Sequence, residues 1–106
     1  MPHPVLDDDK TVQLAEMFHL MGDANRLRIV FACLNEPVSV GAMAARLGLS
    51  PSLVSHHLRL LRAARLLGAD RRGKQVFYRA ADDHIRSVLR DMADHVRESP
   101  DQHEEP

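Results

Sequence analysis

Apolar residues recur at helical spacing over most of this chain, broken at a few points by capping and turn residues. Val12, Leu14, Ala15, Met17, Phe18 and Met21 form a stripe that predicts a first helix over Thr11–Met21, ended by Gly22. Asp23 is an N-cap for a second helix that buries Leu27, Ile29, Val30, Phe31 and Leu34, and Pro37 breaks the chain after it. Ser39 caps a short helix through Leu47, with Val40, Met43, Ala44 and Leu47 on its inner face. Gly48 permits a tight turn, and Ser50 followed by Pro51 opens a helix to about Ala64. Leu53, Val54, His57, Leu58 and Leu61 point to the core in that helix. Strand candidates Leu66–Ala69 and Gln75–Arg79 then flank Asp70-Arg71-Arg72-Gly73-Lys74, a cationic turn. A last helix, about 81–98, carries Ile85, Val88, Leu89, Met92 and Val96.

The elements amount to five helices and one hairpin. A helix, a glycine turn and a capped helix make a helix-turn-helix, and a basic hairpin directly after it makes a wing. The predicted class is therefore mainly α, a winged helix-turn-helix over residues 11–98. Residues 1–10 and 99–106 read as disordered tails, the second acidic. The apolar stripe on the last helix exceeds what a small core needs, which predicts a homodimer.

Charge sharpens this picture. The net charge of −1 conceals three blocks. Residues 1–23 hold five acids against Lys10, a net of −4. Residues 24–79 hold nine Arg and Lys74 against Glu36 and Asp70, a net of +8. Residues 80–106 hold eight acids against three Arg, a net of −5. A basic middle suits phosphates and acidic ends suit cations, although arginines that merely coat helix surfaces give the same count. The single cysteine, Cys33, excludes a disulfide framework and reads as a buried small hydrophobe. No run of 18 apolar residues is present, and the acidic start MPHPVLDDDK lacks a signal core. A reducing cytoplasm is the expected compartment.

Asp82, His84, His95 and Glu98 form a D-x-H and an H-x-x-E at the two ends of the last predicted helix. All four are good ligands for a borderline metal such as zinc. The two histidines lie about 20° apart around the helix and about 16 Å apart along it. Metal bonds of about 2.0–2.2 Å cannot bridge that gap. A second copy packed antiparallel brings Asp82 and His84 of one chain to His95 and Glu98 of the other. The spacing predicts two identical intersubunit sites. Asp83 points elsewhere and reads as a helix cap.

The stretches LMGDANRLRIVFACL, LGLSPSLVSHHLRLLRAARLL, DRRGKQVFYRA and DDHIRSVLRDMADHVRE together resemble the ArsR/SmtB family of bacterial metal-sensing repressors, over about residues 11–98. The resemblance implies a dimeric winged helix that binds operator DNA metal-free and leaves it on metal binding. It also implies a zinc-sensing branch with ligands Asp82, His84, His95 and Glu98. A relay is implied from the second ring nitrogen of His95 to the region of Arg65. Two departures stand out. Val38–Met43 lacks the C-x-C of the family's thiolate site, which argues against soft ions, and Pro51 replaces a polar residue at the start of the recognition helix.

The expected DNA contacts are Ser50, Ser52, Ser55, His56 and Arg59 on the recognition helix and Arg71, Arg72 and Lys74 on the wing. His57 reads as facing inward and His19 as surface. Zinc is the expected regulatory ligand. Cobalt or nickel are alternatives in which His3 or His103 of the tails complete a larger coordination shell. Two rival readings remain: a DNA-binding protein whose metal is only structural, and a metal-dependent hydrolase. The latter is disfavoured by a closed four-ligand set and few candidate bases, so no small-molecule substrate is expected.

Overall fold

The computed structural model describes residues 5–98 and Pro100. In chain order the elements are α1 (Asp8–Met21), α2 (Ala24–Ala32), β1 (Val38–Ser39), α3 (Val40–Leu47), α4 (Pro51–Ala63), β2 (Leu67–Arg72), β3 (Gln75–Ala80) and α5 (Asp83–Arg97). This is a winged helix-turn-helix, mainly α, with α3 and α4 as the helix-turn-helix and β2–β3 as the wing.

Local chemistry explains most boundaries. The side chain of Asp23 accepts from the Arg26 amide at 2.9 Å, and that of Ser39 from Ala42 at 3.3 Å. Ser50 accepts from Leu53 at 3.1 Å, with Pro51 in the first helical turn. Each bond satisfies an amide that the helix itself leaves without a partner. Gly48 adopts φ 67° at the end of α3, a conformation that costs an L side chain energy and glycine almost nothing. The turn between α3 and α4 is tight for that reason. α4 ends differently. Arg65 occupies the left-handed region at φ 65°, and the Leu66 amide returns to the Leu61 carbonyl at 3.0 Å. That closing bond is the six-to-one bond of a Schellman turn, made here without glycine.

The core lies where α2, α3 and α4 meet the base of the sheet. Ile29 and Val30 of α2, its C-cap Cys33, Met43 of α3, Val54, Leu58 and Leu61 of α4, and Leu66 are fully buried. Each large apolar side chain so buried contributes about 1.5–3 kcal/mol. Cys33 is among them as expected. Its thiol donates to the Ile29 carbonyl, and burial pushes its pKa up to about 12, so it stays a thiol.

Several expectations need correction. The hairpin is part of a three-stranded antiparallel sheet, ordered β1-β3-β2, in which Val38 pairs with Tyr78 and Ser39 with Phe77. A two-residue strand leaves no periodicity to read. α1 starts at Asp8, because Asp7 caps it through the Lys10 amide at 2.8 Å, so residues 8–10 belong to a helix and not to a tail. α5 is shorter than 81–98: Asp82 and Glu98 are its caps. Asp83 is not the cap; it pairs with Arg86 at 3.0 Å. Phe31 and Leu53, expected in the core, are each more than a third exposed.

The stripe on α1 is divided, with Met17 and Met21 packed against the core and the rest facing outward. Leu20 is the one residue of α1 that is buried, whereas Val12, Leu14 and Phe18 are exposed. On α5, Val88, Met92 and Val96 are exposed and only Leu89 is buried. Phe18, Met21, Leu27, Phe31, Val88 and Met92 line one apolar groove of about 610 Å³ bordered by α1, α2 and α5.

Candidate nucleic-acid interface and metal centre

On α4 the expected contact residues form one stripe. Ser52, Ser55, His56 and Arg59 follow the i, i+3, i+4, i+7 pattern and so share a face. Ser52, His56 and Arg59 are exposed and Ser55 is half-buried. Val54, His57, Leu58 and Leu61 repeat the same pattern on the opposite side and are buried. One helix thus grips the core with one face and offers hydroxyls, an imidazole and a guanidinium to solvent with the other. Ser50 stands just before this stripe, its oxygen engaged as the cap.

The adjacent histidines divide between the two faces. Their rings lie 5.8 Å apart, yet His56 is exposed and His57 is only 8% exposed. The Nδ1 atom of His57 is buried without a hydrogen-bond partner. Burial lowers the pKa of His57, Asp23 opposes that shift, and Arg26 and His56 add to it. His57 is therefore a neutral packing residue, as its position predicts. His19 is exposed.

Arg71, Arg72 and Lys74 are all exposed at the tip of the wing, where Gly73 turns at φ 63°. Arg71 donates to the Gly73 carbonyl at 3.3 Å. The Arg72 guanidinium stands 4.8 Å from the centre of the Phe77 ring, a cation–π contact that holds its direction. Behind the tip, Arg79 pairs with Asp70 at 2.9 Å, and that guanidinium holds the Asp70 carboxyl below its usual pKa. Sequence reasoning singled out neither residue for a role. The signal is the strand register, which sets Arg79 opposite Gly68, two residues from Asp70.

The four candidate metal ligands fall into two pairs. At the start of α5, Oδ1 of Asp82 accepts from the Ile85 amide at 3.1 Å, while Oδ2 faces Nδ1 of His84 at 3.5 Å. The Ile85 amide is the largest influence keeping the Asp82 pKa low, and His84 assists. Asp82 is thus an ionised carboxylate beside an imidazole whose side chain is 94% exposed. At the other end His95 lies in the last turn and Glu98 is the C-cap, its amide donating to the carbonyls of Asp94 and His95. Among the described residues no three His, Cys, Asp or Glu side chains come together as a metal site within one chain. His3 and His103 lie outside the described residues.

Helical geometry relates the two pairs to the apolar surface. On α5 the direction of Val88 is about 20–40° from those of His84 and His95, and Met92 follows about 40° further round. A surface that covers Val88 and Met92 therefore also reaches both histidines. The first pair further adjoins the end of α4: Arg62, Arg65, Asp82, His84 and Val88 border one cavity of about 800 Å³.

A family model described as "Bacterial regulatory protein, arsR family" matches residues 23–68, from the cap of α2 to the start of the wing. A transcriptional repressor SmtB homolog of Synechocystis sp. is 40% identical over 95 residues, which span 90% of this chain and 72% of that protein. The chain belongs to the ArsR/SmtB family. Like other ArsR/SmtB members it is a transcriptional regulator and not an enzyme. The solution structure of apo-NmtR has 32% identity and a TM-score of 0.72, covering 89% of this chain and 79% of that one. A homodimeric winged helix-turn-helix DNA-binding domain, Mb0332 from Mycobacterium bovis, has a TM-score of 0.74 at 23% identity, with 98% of both chains covered, and attests the fold alone. No helix among the described residues is long and apolar enough to cross a membrane.

Proposed function

We propose that this ArsR/SmtB regulator is a zinc-responsive repressor. It binds operator DNA as a metal-free homodimer and is released when zinc binds at two sites between the subunits. Each site takes Asp82 and His84 from one copy and His95 and Glu98 from the other. The observation that carries this reading is the separation of the ligands into two incomplete pairs at opposite ends of α5, beside an exposed apolar stripe.

The residues fit the ion. Two imidazoles and two carboxylates make a borderline donor set, and Asp82 is ionised and already faces His84. When bound, zinc supplies a closed four-ligand bridge between two helices. The protein's own residues carry the rest. Antiparallel pairing of α5 buries Val88 and Met92. Ser52, Ser55, His56 and Arg59 enter the major groove, Arg71, Arg72 and Lys74 contact phosphates, and a dimer sets its two reading heads about 34–36 Å apart.

A relay from His95 toward Arg65 acquires a direction from this placement. Asp82 and His84 share a cavity wall with Arg65, while His95 is about 16 Å further along α5. The His95 that approaches Arg65 is therefore that of the second copy. Its ring nitrogen not used for the metal donates to backbone near the strained end of α4, which both orients the ligand and shifts the recognition helix. Metal and DNA then weaken each other by the same factor.

The test is operator affinity of the purified protein with and without excess zinc, together with its mass in solution. Tight binding without zinc, weak binding with it, and a dimer in both conditions are expected. Operator affinity indifferent to zinc would leave the metal with a structural role.

A further inference from the structure

One side chain joins the metal-ligand end of α5 to the wing. Arg79 of β3 donates through Nε to Asp70 Oδ2 at 2.9 Å and through Nη2 to Asp70 Oδ1 at 3.4 Å. Its Nη1 donates to the carbonyls of Ala80 at 3.2 Å and Ala81 at 3.4 Å. Ala81 is the residue immediately before Asp82. A single planar, permanently charged group therefore holds β2 with one edge and the entry to α5 with the other.

The fold makes room for this arrangement. Gly68 is opposite Arg79 in the sheet. A Cβ at Gly68 would lie 2.5 Å from Arg79 Nη1 and 2.8 Å from Cζ, so the guanidinium lies where a side chain would stand. From Asp70 the connection continues toward the tip. Asp70 pairs across the strands with Phe77, and Phe77 carries the Arg72 guanidinium on its ring.

We infer that Arg79 is a positioning residue that couples the state of the Asp82–His84 pair to the wing. The inference rests on the proposed zinc-responsive reading and adds a second route to the one through the end of α4. Fixing Asp82 and His84 fixes the segment Ala80–Asp82. Arg79 carries that constraint to Asp70, and the wing tip with Arg71, Arg72 and Lys74 turns with β2. Asp70 and Arg79 then act as a unit, so removing either should cost the same coupling as removing both.

The experiment measures operator affinity, metal-free and at saturating zinc, for the wild type, Arg79→Gln, Asp70→Asn, the double variant and Gly68→Ala. Gly68→Ala displaces the flexible guanidinium without removing it, and so serves if Arg79→Gln folds poorly. In each variant the ratio of the two operator affinities should fall by about threefold or more. Zinc affinity without DNA and the thermal midpoint, which report the site and the fold, should stay close to wild type. The double variant should lose no more than the single ones. A wild-type ratio in Arg79→Gln and Gly68→Ala, or losses that add in the double variant, overturns the inference. If the wild type itself shows no zinc effect on operator affinity, the zinc-responsive reading fails instead.

Discussion

Asp82 and His84 face each other at 3.5 Å between Oδ2 and Nδ1, while the other carboxylate oxygen of Asp82 caps α5 through the Ile85 amide. One carboxylate thus has a structural duty on one oxygen and a candidate ligand duty on the other. The two are separable. Asp82→Asn retains a capping oxygen and should leave metal-free stability nearly unchanged while weakening zinc binding. Asp82→Ala should weaken zinc binding and also cost about 1 kcal/mol of stability, the usual loss of a good N-cap. Urea unfolding of the metal-free proteins and a zinc titration of each make the comparison. Equal stability of the two variants would remove the cap from the account.

The division of the candidate ligands between the ends of α5 predicts the behaviour of a mixed dimer. One chain carries Asp82→Ala with His84→Ala, the other His95→Ala with Glu98→Ala. Sites shared between subunits leave one site intact and one without ligands. A titration should give one zinc per dimer at wild-type affinity. Two weak sites and no strong one would contradict the shared arrangement.

His95 and Glu98 should differ in what their loss does. In the proposed site Glu98 contributes charge and one bond, which water can partly replace, whereas His95 has a second ring nitrogen for the proposed relay. His95→Asp is expected to bind zinc yet remain on the operator at saturating metal. Glu98→Ala is expected to bind zinc more weakly but to release DNA once saturated. Operator affinity of each, with zinc far above its own dissociation constant, is the measurement, and equal loss of release would reduce His95 to a ligand alone.

The outward stripe of α4 predicts a separation of functions. A good hydrogen-bonded pairing with a base edge is worth about 1–3 kcal/mol of discrimination. Ser55→Ala with His56→Ala should weaken operator binding on that scale and leave zinc affinity intact. Neither side chain belongs to the fully buried core, so the fold should persist. Fluorescence anisotropy with operator and scrambled duplexes reads the effect. Unchanged discrimination between the two would refute this reading face.

His57 predicts the sign of a pH effect on stability. Its folded pKa is lowered from 6.5, chiefly by burial, so the unfolded chain binds the proton more readily. The neutral form's contribution is fully present above pH 6.5 and declines as pH falls below that value toward the lowered folded pKa. The urea midpoint should therefore drop between about pH 7.5 and 5.5, and His57→Leu should flatten that drop. The carboxylates held low, Asp23, Asp70 and Asp82, add a separate loss only as pH falls below about 4, from their usual 3.8 toward their lowered values. A slope unchanged in His57→Leu would assign the effect elsewhere.

The parts of this molecule that depend on a few consecutive residues were legible along the chain. The caps Asp23, Ser39 and Ser50 and the left-handed Gly48 stand where the pattern put them, because a cap or a turn is settled by hydrogen bonds within about four residues. The inward His57 beside the outward His56 followed from helical period alone. So did the placement of Asp82 and His84 at one end of α5 and of His95 and Glu98 at the other. Tertiary structure decided the rest. β1 exists because Val38 finds Tyr78, a partner forty residues away that no local pattern announces. Phe31 and Leu53 are apolar at inward-looking positions, yet the packing of five helices leaves each partly open. Asp82 rather than Asp83 became the cap of α5, since which of two adjacent aspartates meets the Ile85 amide depends on how the chain leaves β3. The link from Asp70 through Arg79 to Ala81 was equally hidden. Periodicity and capping reflect interactions between near neighbours, whereas strand register and side-chain bridges are set only when packing of the whole domain brings distant segments together.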